Sequence, residues 1–218
     1  MRALDVGCGP GALTAELVRR LGPSAVAAID PSPPFVAAAR AKFGEVDVRE
    51  GVAEQLPFPD GSFDIVLAQL VVHFMADPVA GLAEMRRVTR SGGVVVATVW
   101  NHAGLNGPLA TFWQAVGELD PSAPGEANLA GTREGHLVEL AVAAGLSDVE
   151  DTELTVEVGF ATYGAWWTPY TLGVGPAGTY VAGLDEAHRA ELRDRCFALL
   201  PAPPFTVAAS AWTVRARA

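Results

Sequence analysis

A chain of 218 residues suits one α/β domain with one insertion. Its formal charge of −10 repels phosphate backbones and argues against a nucleic-acid substrate. No apolar run reaches the roughly 18 residues of a membrane helix, and no basic-then-apolar signal opens the chain, so a cytoplasmic protein with no membrane partner is expected. The two cysteines, Cys8 and Cys196, make neither a disulfide framework nor a zinc cluster, and no metal is expected. Lys42 is the only lysine among abundant arginines and alanines, which points to a bacterial genome rich in G and C.

Taken in order, Arg2–Val6 predicts a first strand. Leu13, Leu17 and Leu21 recur at helical spacing, and Gly22-Pro23 stops that helix. Ala25–Ile29 predicts a buried strand, Pro34–Lys42 a helix, Val46–Arg49 a short third strand and Phe63–Ala68 a fourth. Asp77-Pro78 supplies an N-cap followed by proline at the first helical position. That helix is expected to end near Arg90, before Ser91-Gly92-Gly93. Val94–Val99 has the continuous apolar character of a central parallel strand. Helices are expected around Leu109–Leu119 and Glu134–Ala144. Leu154, Val156, Val158 and Phe160 alternate as in a half-exposed strand, and Phe205, Val207 and Ala209 do so again. Between these two strands an aromatic, glycine- and proline-rich stretch, 161–203, with a helix near Asp185–Leu199, reads as a lid. The alternation of short apolar runs with helical patterns implies βαβ units.

The chemistry concentrates in Leu4-Asp5-Val6-Gly7-Cys8-Gly9-Pro10-Gly11, a strand end that opens a helix. Glycines permit positive φ and close ligand approach, and a helix start offers unpaired N–H groups. Asp30 closes the second strand 19 residues after Gly11, where an acid can accept both hydroxyls of a ribose. Gly7, Gly9 and Ala12 also satisfy a dinucleotide pattern, which keeps an NAD(P)-dependent oxidoreductase open as an alternative. Asp5 argues against a pyrophosphate in that loop and for a cationic amino-acid moiety. A tight turn with no ligand is the bland reading of the same residues.

Asp5–Gly11 resembles the first motif of the class I S-adenosylmethionine-dependent methyltransferases. Gly51-Val52-Ala53-Glu54-Gln55-Leu56-Pro57-Phe58 resembles their segment after the third strand. Ser62–Val66 resembles their fourth strand, and Arg87–Gly93 their turn before the fifth. Order and spacing are similar to the small-molecule, type 11 group that includes quinone-biosynthesis C-methyltransferases. The resemblance covers residues 1 to about 100; beyond that only the general layout matches.

The resemblance implies a Rossmann-like α/β fold: a seven-stranded, mainly parallel sheet with one antiparallel strand, helices on both faces, and a helical lid between the last two strands. It implies a single methyltransferase domain over 1–218, with a cofactor-binding half, 1–100, and an acceptor half, 101–218. The expected activity is transfer of a methyl group from S-adenosylmethionine to a small-molecule acceptor. A non-catalytic S-adenosylmethionine-binding protein is a further alternative. Gly7, Cys8, Gly9 and Gly11 would line the amino-acid part of the cofactor, with Asp5 near its ammonium. Asp30 would hold the ribose, Pro31 would lie beside the adenine, Ala53 would donate its backbone N–H to the adenine, and Gln69 and Leu70 would face the methionine part. Where the family carries an Asp, this chain has Val52, so Glu54 or a backbone carbonyl is expected to accept from the adenine amino group. The family also has a helix before its first strand. Here the cleft's cover is expected from an upstream segment, from the lid, or from a second subunit in a homodimer, the first being favoured.

Four histidines and the aromatics complete the candidates. His73, four residues past Gln69, is a candidate general base, against packing beside Phe74 as the structural reading. Trp100, His102, Trp166, Trp167 and Tyr170 are candidates for an acceptor pocket, against ordinary core as the alternative. Cys8 lacks a base nearby and is not expected to act as a nucleophile. His136 and His188 sit in polar helical contexts and are expected to be solvated.

Overall fold

Strand β1 (Ala3–Val6) carries alternate residues into two separate cores, as the period of a strand requires. The computed structural model describes residues 1–218. Leu4 and Val6 join one apolar layer with Leu82 and Met85 of helix α3 (Pro78–Val88) and Leu137 and Ala141 of α5 (His136–Ala143). Ala3 joins the opposite layer with Leu17 of α1 (Ala12–Leu21) and Val36 and Ala39 of α2 (Pro33–Lys42). A sheet buried on both faces in this way is what parallel pairing with crossover helices produces.

The remaining strands are β2 (Val26–Asp30), β3 (Asp47–Glu50), β4 (Phe63–Gln69), β5 (Thr89–Trp100), β6 (Ser147–Phe160) and β7 (Phe205–Arg217). The sheet order is β3-β2-β1-β4-β5-β7-β6. β1 pairs in parallel with β2 and β4, β2 with β3, and β4 with β5. β7 alone runs antiparallel to its neighbours β5 and β6. Gly92 N donates to Ala218 O, and Ala218 N donates back to Gly93 O. The expected fold class is borne out. No helix is long and apolar enough to cross a membrane.

The chain divides into two compact units. The first comprises Met1–Val99, Leu129–Glu153 and Trp212–Ala218; the second comprises Trp100–Asn128 and Leu154–Ala211. In the second, α4 (Ala110–Leu119), α6 (Tyr163–Trp167), α7 (Gly175–Gly183) and α8 (Glu186–Leu199) surround an aromatic core. Phe112 stacks on Tyr170 with ring centroids 4.7 Å apart and planes 7° from parallel, a favourable offset for two rings. Tyr163 stacks on Phe197 at 4.8 Å, and Glu118 pairs with Arg195 at the surface of this unit. The segment between β6 and β7 holds α6, α7, α8 and the short 3-10 helix Thr168–Leu172, more helix than the one expected there.

Two strand boundaries depart from the sequence reading. β5 begins at Thr89, five residues before Val94, and takes in Ser91-Gly92-Gly93. Those residues gain strand hydrogen bonds from the chain's last residue, a partner far away in sequence. β6 begins at Ser147, seven residues before Leu154. Its polar first half is anchored on β7 by Glu150 with Arg215 (3.0 Å) and by Ser147 Oγ donating to Arg217 O (3.4 Å).

Candidate functional site

The first unit carries a cleft at the carboxyl ends of β1, β2 and β4, where ligands of open α/β sheets bind. One part, about 450 Å³, is lined by Asp5, Gly7, Cys8, Gly9, Asp30, Pro31, Gln69 and Leu70, together with Ala12, Leu13, Ser32, Phe35, Val71 and Phe74. A contiguous part, about 460 Å³, shares Gly7, Pro31, Val71 and Phe74 and adds Val52, Ala53, Glu54 and the Met75–Asp77 turn. Both volumes lie in the range of small-molecule sites.

The loop after β1 owes its path to glycine. Gly7 has φ +69°, and a Cβ there would sit 2.4 Å from Val71 Cγ1. Gly11, φ +90°, would drive a Cβ to 2.3 Å from the Phe43 ring. Gly11 therefore packs the loop onto α2's C-terminal cap residue, and it is absent from the cleft wall where it was expected. Gly9 differs from both: a Cβ there would meet nothing within 4 Å, so this stretch of cradle is open to a ligand.

Two carboxylates flank the loop. Asp5, 1% exposed, accepts from Thr14 Oγ1 at 2.6 Å. Burial pushes its carboxyl up to about 6, against the stabilising hydrogen bonds from Thr14, and the Asp30 charge adds to the rise. Asp30, also buried, accepts from Gly9 N through Oδ2 and from Ser32 N through Oδ1, both at 2.8 Å. Its two oxygens are thus aimed by the backbone on either side of the cleft. Burial, reinforced by Asp5 and Asp30, pushes the Cys8 thiol up to about 12, so it stays protonated and inert as a nucleophile.

The far end of the cleft is fixed by an arginine. Arg87 of α3 donates to the carbonyls of Leu56 and Phe58 (both 2.9 Å) and pairs with Glu84 and Asp60 (both 2.6 Å). Glu84 in turn accepts from Leu56 N at 2.9 Å. This clamp holds the segment Gly51–Phe58 against the sheet, with Ala53 buried and Val52 46% exposed in the cleft. Glu54 accepts from Asp77 N at 3.2 Å.

Leu70 follows β4 with φ +61°, a backbone position that few non-glycine residues hold. Its N–H donates to Thr98 O at 2.9 Å and to Thr98 Oγ1 at 3.1 Å, which keeps it there. Residues so held concentrate at functional sites. His73 is buried in the 3-10 turn Val72–Phe74, its ring centroid 3.9 Å from that of Phe74. The sequence did not single out Phe35, Val71 or Phe74 as cleft residues; an apolar residue in a loop carries no local signal of what it covers.

The second unit has its own cavity, about 250 Å³, lined by His102, Leu105, Ala110, Trp113, Gln114, Ala123 and Glu126 among others. Glu126 is 2% exposed and accepts from Trp113 Nε1 at 2.7 Å; burial raises its pKa. His102 is buried, and that burial holds it down to about 4, so it is neutral at pH 7. A His102 ring nitrogen and a Glu126 oxygen lie within 4.8 Å of each other. Trp166, Trp167 and Tyr170 lie in the aromatic core behind α4, packed with its buried Phe112, while Trp113 of the same helix faces the cavity. Trp100 closes β5 and is partly buried. His136 accepts from Gly131 N at 3.2 Å, and exposed His188 contacts Asp185 at 2.8 Å.

Comparison with known proteins agrees with this geometry. Residues 4–97 match the family described as a methyltransferase domain. The 2-methyl-6-phytyl-1,4-hydroquinone methyltransferase 2 of Oryza sativa is 38% identical over 116 residues, 52% of this chain and 31% of that protein. The malonyl-[acyl-carrier protein] O-methyltransferase of Serratia marcescens is 38% identical over 113 residues, 52% of this chain and 43% of its own. The chain thus spans less than half the length of these curated relatives. The crystal structure of the YcgJ protein from Bacillus subtilis superposes with a TM-score of 0.62 at 20% identity, covering 99% of this chain and 91% of that one. Residues 4–97 are thus similar to a methyltransferase domain, and the chain as a whole shares its Rossmann-like fold with the YcgJ protein.

Proposed function

We propose that the protein transfers a methyl group from S-adenosylmethionine to a small-molecule acceptor. The observation that carries the proposal is the cleft of the first unit, where left-handed glycines and two buried acids meet within the matched domain. When bound there, S-adenosylmethionine supplies an electrophilic methyl group on a sulfonium sulfur. The acceptor's lone pair forms the new bond to that carbon as the carbon–sulfur pair leaves on sulfur, and any displaced acceptor proton passes to a base or to solvent.

The cleft suits that ligand part by part. Open space at Gly9 leaves room for the amino-acid portion, beside Gly7 and Cys8. Asp5, costly to ionise where it is buried, gains a counter-charge from an ammonium group. Asp30 presents preset oxygens to a ribose, with Pro31 beside the base. Ala53 N–H and Glu54 serve the adenine end, where Val52 brings no acceptor of its own. Gln69 and Leu70 border the methionine end. Gly11 is reassigned to shaping the loop. His73, and the Trp100 and His102 side, belong to the acceptor half of the reaction, in which positioning carries much of the rate.

Calorimetric titration with S-adenosylhomocysteine tests the assignment. Asp30→Ala is expected to weaken binding by about 1.5–3 kcal/mol, the scale of a hydrogen bond to a charged group. Unchanged affinity would sink the ribose assignment, and tighter binding of NAD than of S-adenosylhomocysteine would sink the function.

A further inference from the structure

The cavity of the second unit combines features that select a ligand class. Its walls are apolar, supplied by Leu105, Ala110 and Ala123 beside the indole of Trp113. Into it projects one acid, Glu126, 2% exposed, whose hydrogen bond from Trp113 is a neutral donor's. A neutral donor offsets only part of what it costs to keep a carboxylate out of water. The ionisable neighbour on the same wall, His102, is kept uncharged by its own burial and brings no positive charge. An organic cation brings that charge, and it also finds an aromatic surface in Trp113. The chain's net charge of −10 draws cations toward the protein and turns anions away. A volume of about 250 Å³ limits the ligand to a compact molecule.

We infer that this cavity binds a small amine or other organic monocation, with Glu126 as its counter-ion and Trp113 as its wall. Calling that ligand the methyl acceptor rests on the function proposed above; the binding site itself does not.

The test uses the full chain and two probes of equal shape, benzylamine and benzyl alcohol, titrated by calorimetry at pH 7.5. The amine is expected to bind at least tenfold more tightly than the alcohol, and Glu126→Gln is expected to erase that preference. The comparison in the unaltered protein needs no variant, so it stands even if Glu126→Gln folds poorly. Equal binding of the two probes, tighter binding of the alcohol, or no binding of either up to about 10 mM would overturn the inference. So would an amine preference that survives Glu126→Gln in a variant whose melting profile is unchanged. S-adenosylhomocysteine is titrated into the same preparation. Cofactor binding without amine preference removes the cation site alone, and amine preference without cofactor binding removes the methyltransferase reading alone.

Discussion

The two units solve the problem of burial with different materials. The first packs Val, Leu, Ile and Ala from a parallel sheet against helices on either side, and its functional loop is set by backbone conformation. The second packs rings, Phe112, Trp166, Trp167, Tyr170 and Phe205 among them, brought together from segments nearly a hundred residues apart. The contrast separates two kinds of information. A left-handed glycine after a strand is written locally, residue by residue. A stacked pair such as Phe112 and Tyr170 is written in neither segment alone.

The largest expected effect tests whether the units are energetically distinct. Phe112→Ala removes a fully buried ring and should destabilise the second unit by about 3–5 kcal/mol. Calorimetric melting should then show an early transition, with the affinity for S-adenosylhomocysteine kept to within about twofold. A single transition shifted as a whole would show that the units melt as one block.

Next in size is a proton. Asp5 titrates near 6 in the folded chain and near 4 when unfolded, so its burial is tolerated best when it is protonated. Stability from this group is fully present below pH 4 and is lost as pH rises through 6, by about 3 kcal/mol. A ligand ammonium reverses the preference by favouring the carboxylate. S-adenosylhomocysteine should therefore bind more weakly as pH falls below 6, and binding near pH 6 should release a proton. Calorimetry in two buffers of different ionisation heat measures that release, and Asp5→Asn should abolish it. No proton release in the unaltered chain would remove Asp5 from the ammonium site.

How much was legible follows from the same contrast. Asp5, Gly7, Gly9 and Asp30 were readable because turn geometry and strand ends constrain residue type directly, and all four line the cleft. Gly11 was readable as a required glycine but not as a packing one, since Phe43 reaches it only after α2 has folded. The early start of β5 was hidden because Ser91-Gly92-Gly93 has turn composition; pairing with the C-terminus overrides it. Trp113 and Glu126 were not singled out at all. Thirteen residues apart, one on a helix and one in a loop, they become a pair only through the hydrogen bond between them.

The smallest expected effect refines the first unit further. Val52 is 46% exposed at the end of the cleft proposed for the adenine, where the pattern that the chain resembles has an acid. Val52→Asp should tighten S-adenosylhomocysteine binding by about 1 kcal/mol, one added hydrogen bond, and leave the melting temperature nearly unchanged. If neither affinity nor preference for adenine over other purines moves, the adenine amino group already has its acceptor.

The edge strand β6 has a consequence for the molecule in company. Leu154, Val156 and Val158 stand about half exposed on one face of a strand whose outer side has no sheet neighbour. Such an edge is a template for strand addition by another chain, the first step toward aggregation. Asp148, Asp151 and Glu157 run along the same strand, so an identical edge approaching it meets like charge at close range. That repulsion is screened within about 3 Å in molar salt. The acids of β6 thus act as gatekeepers, and the colloidal stability of the protein is tied to ionic strength through a strand that takes no part in the cleft.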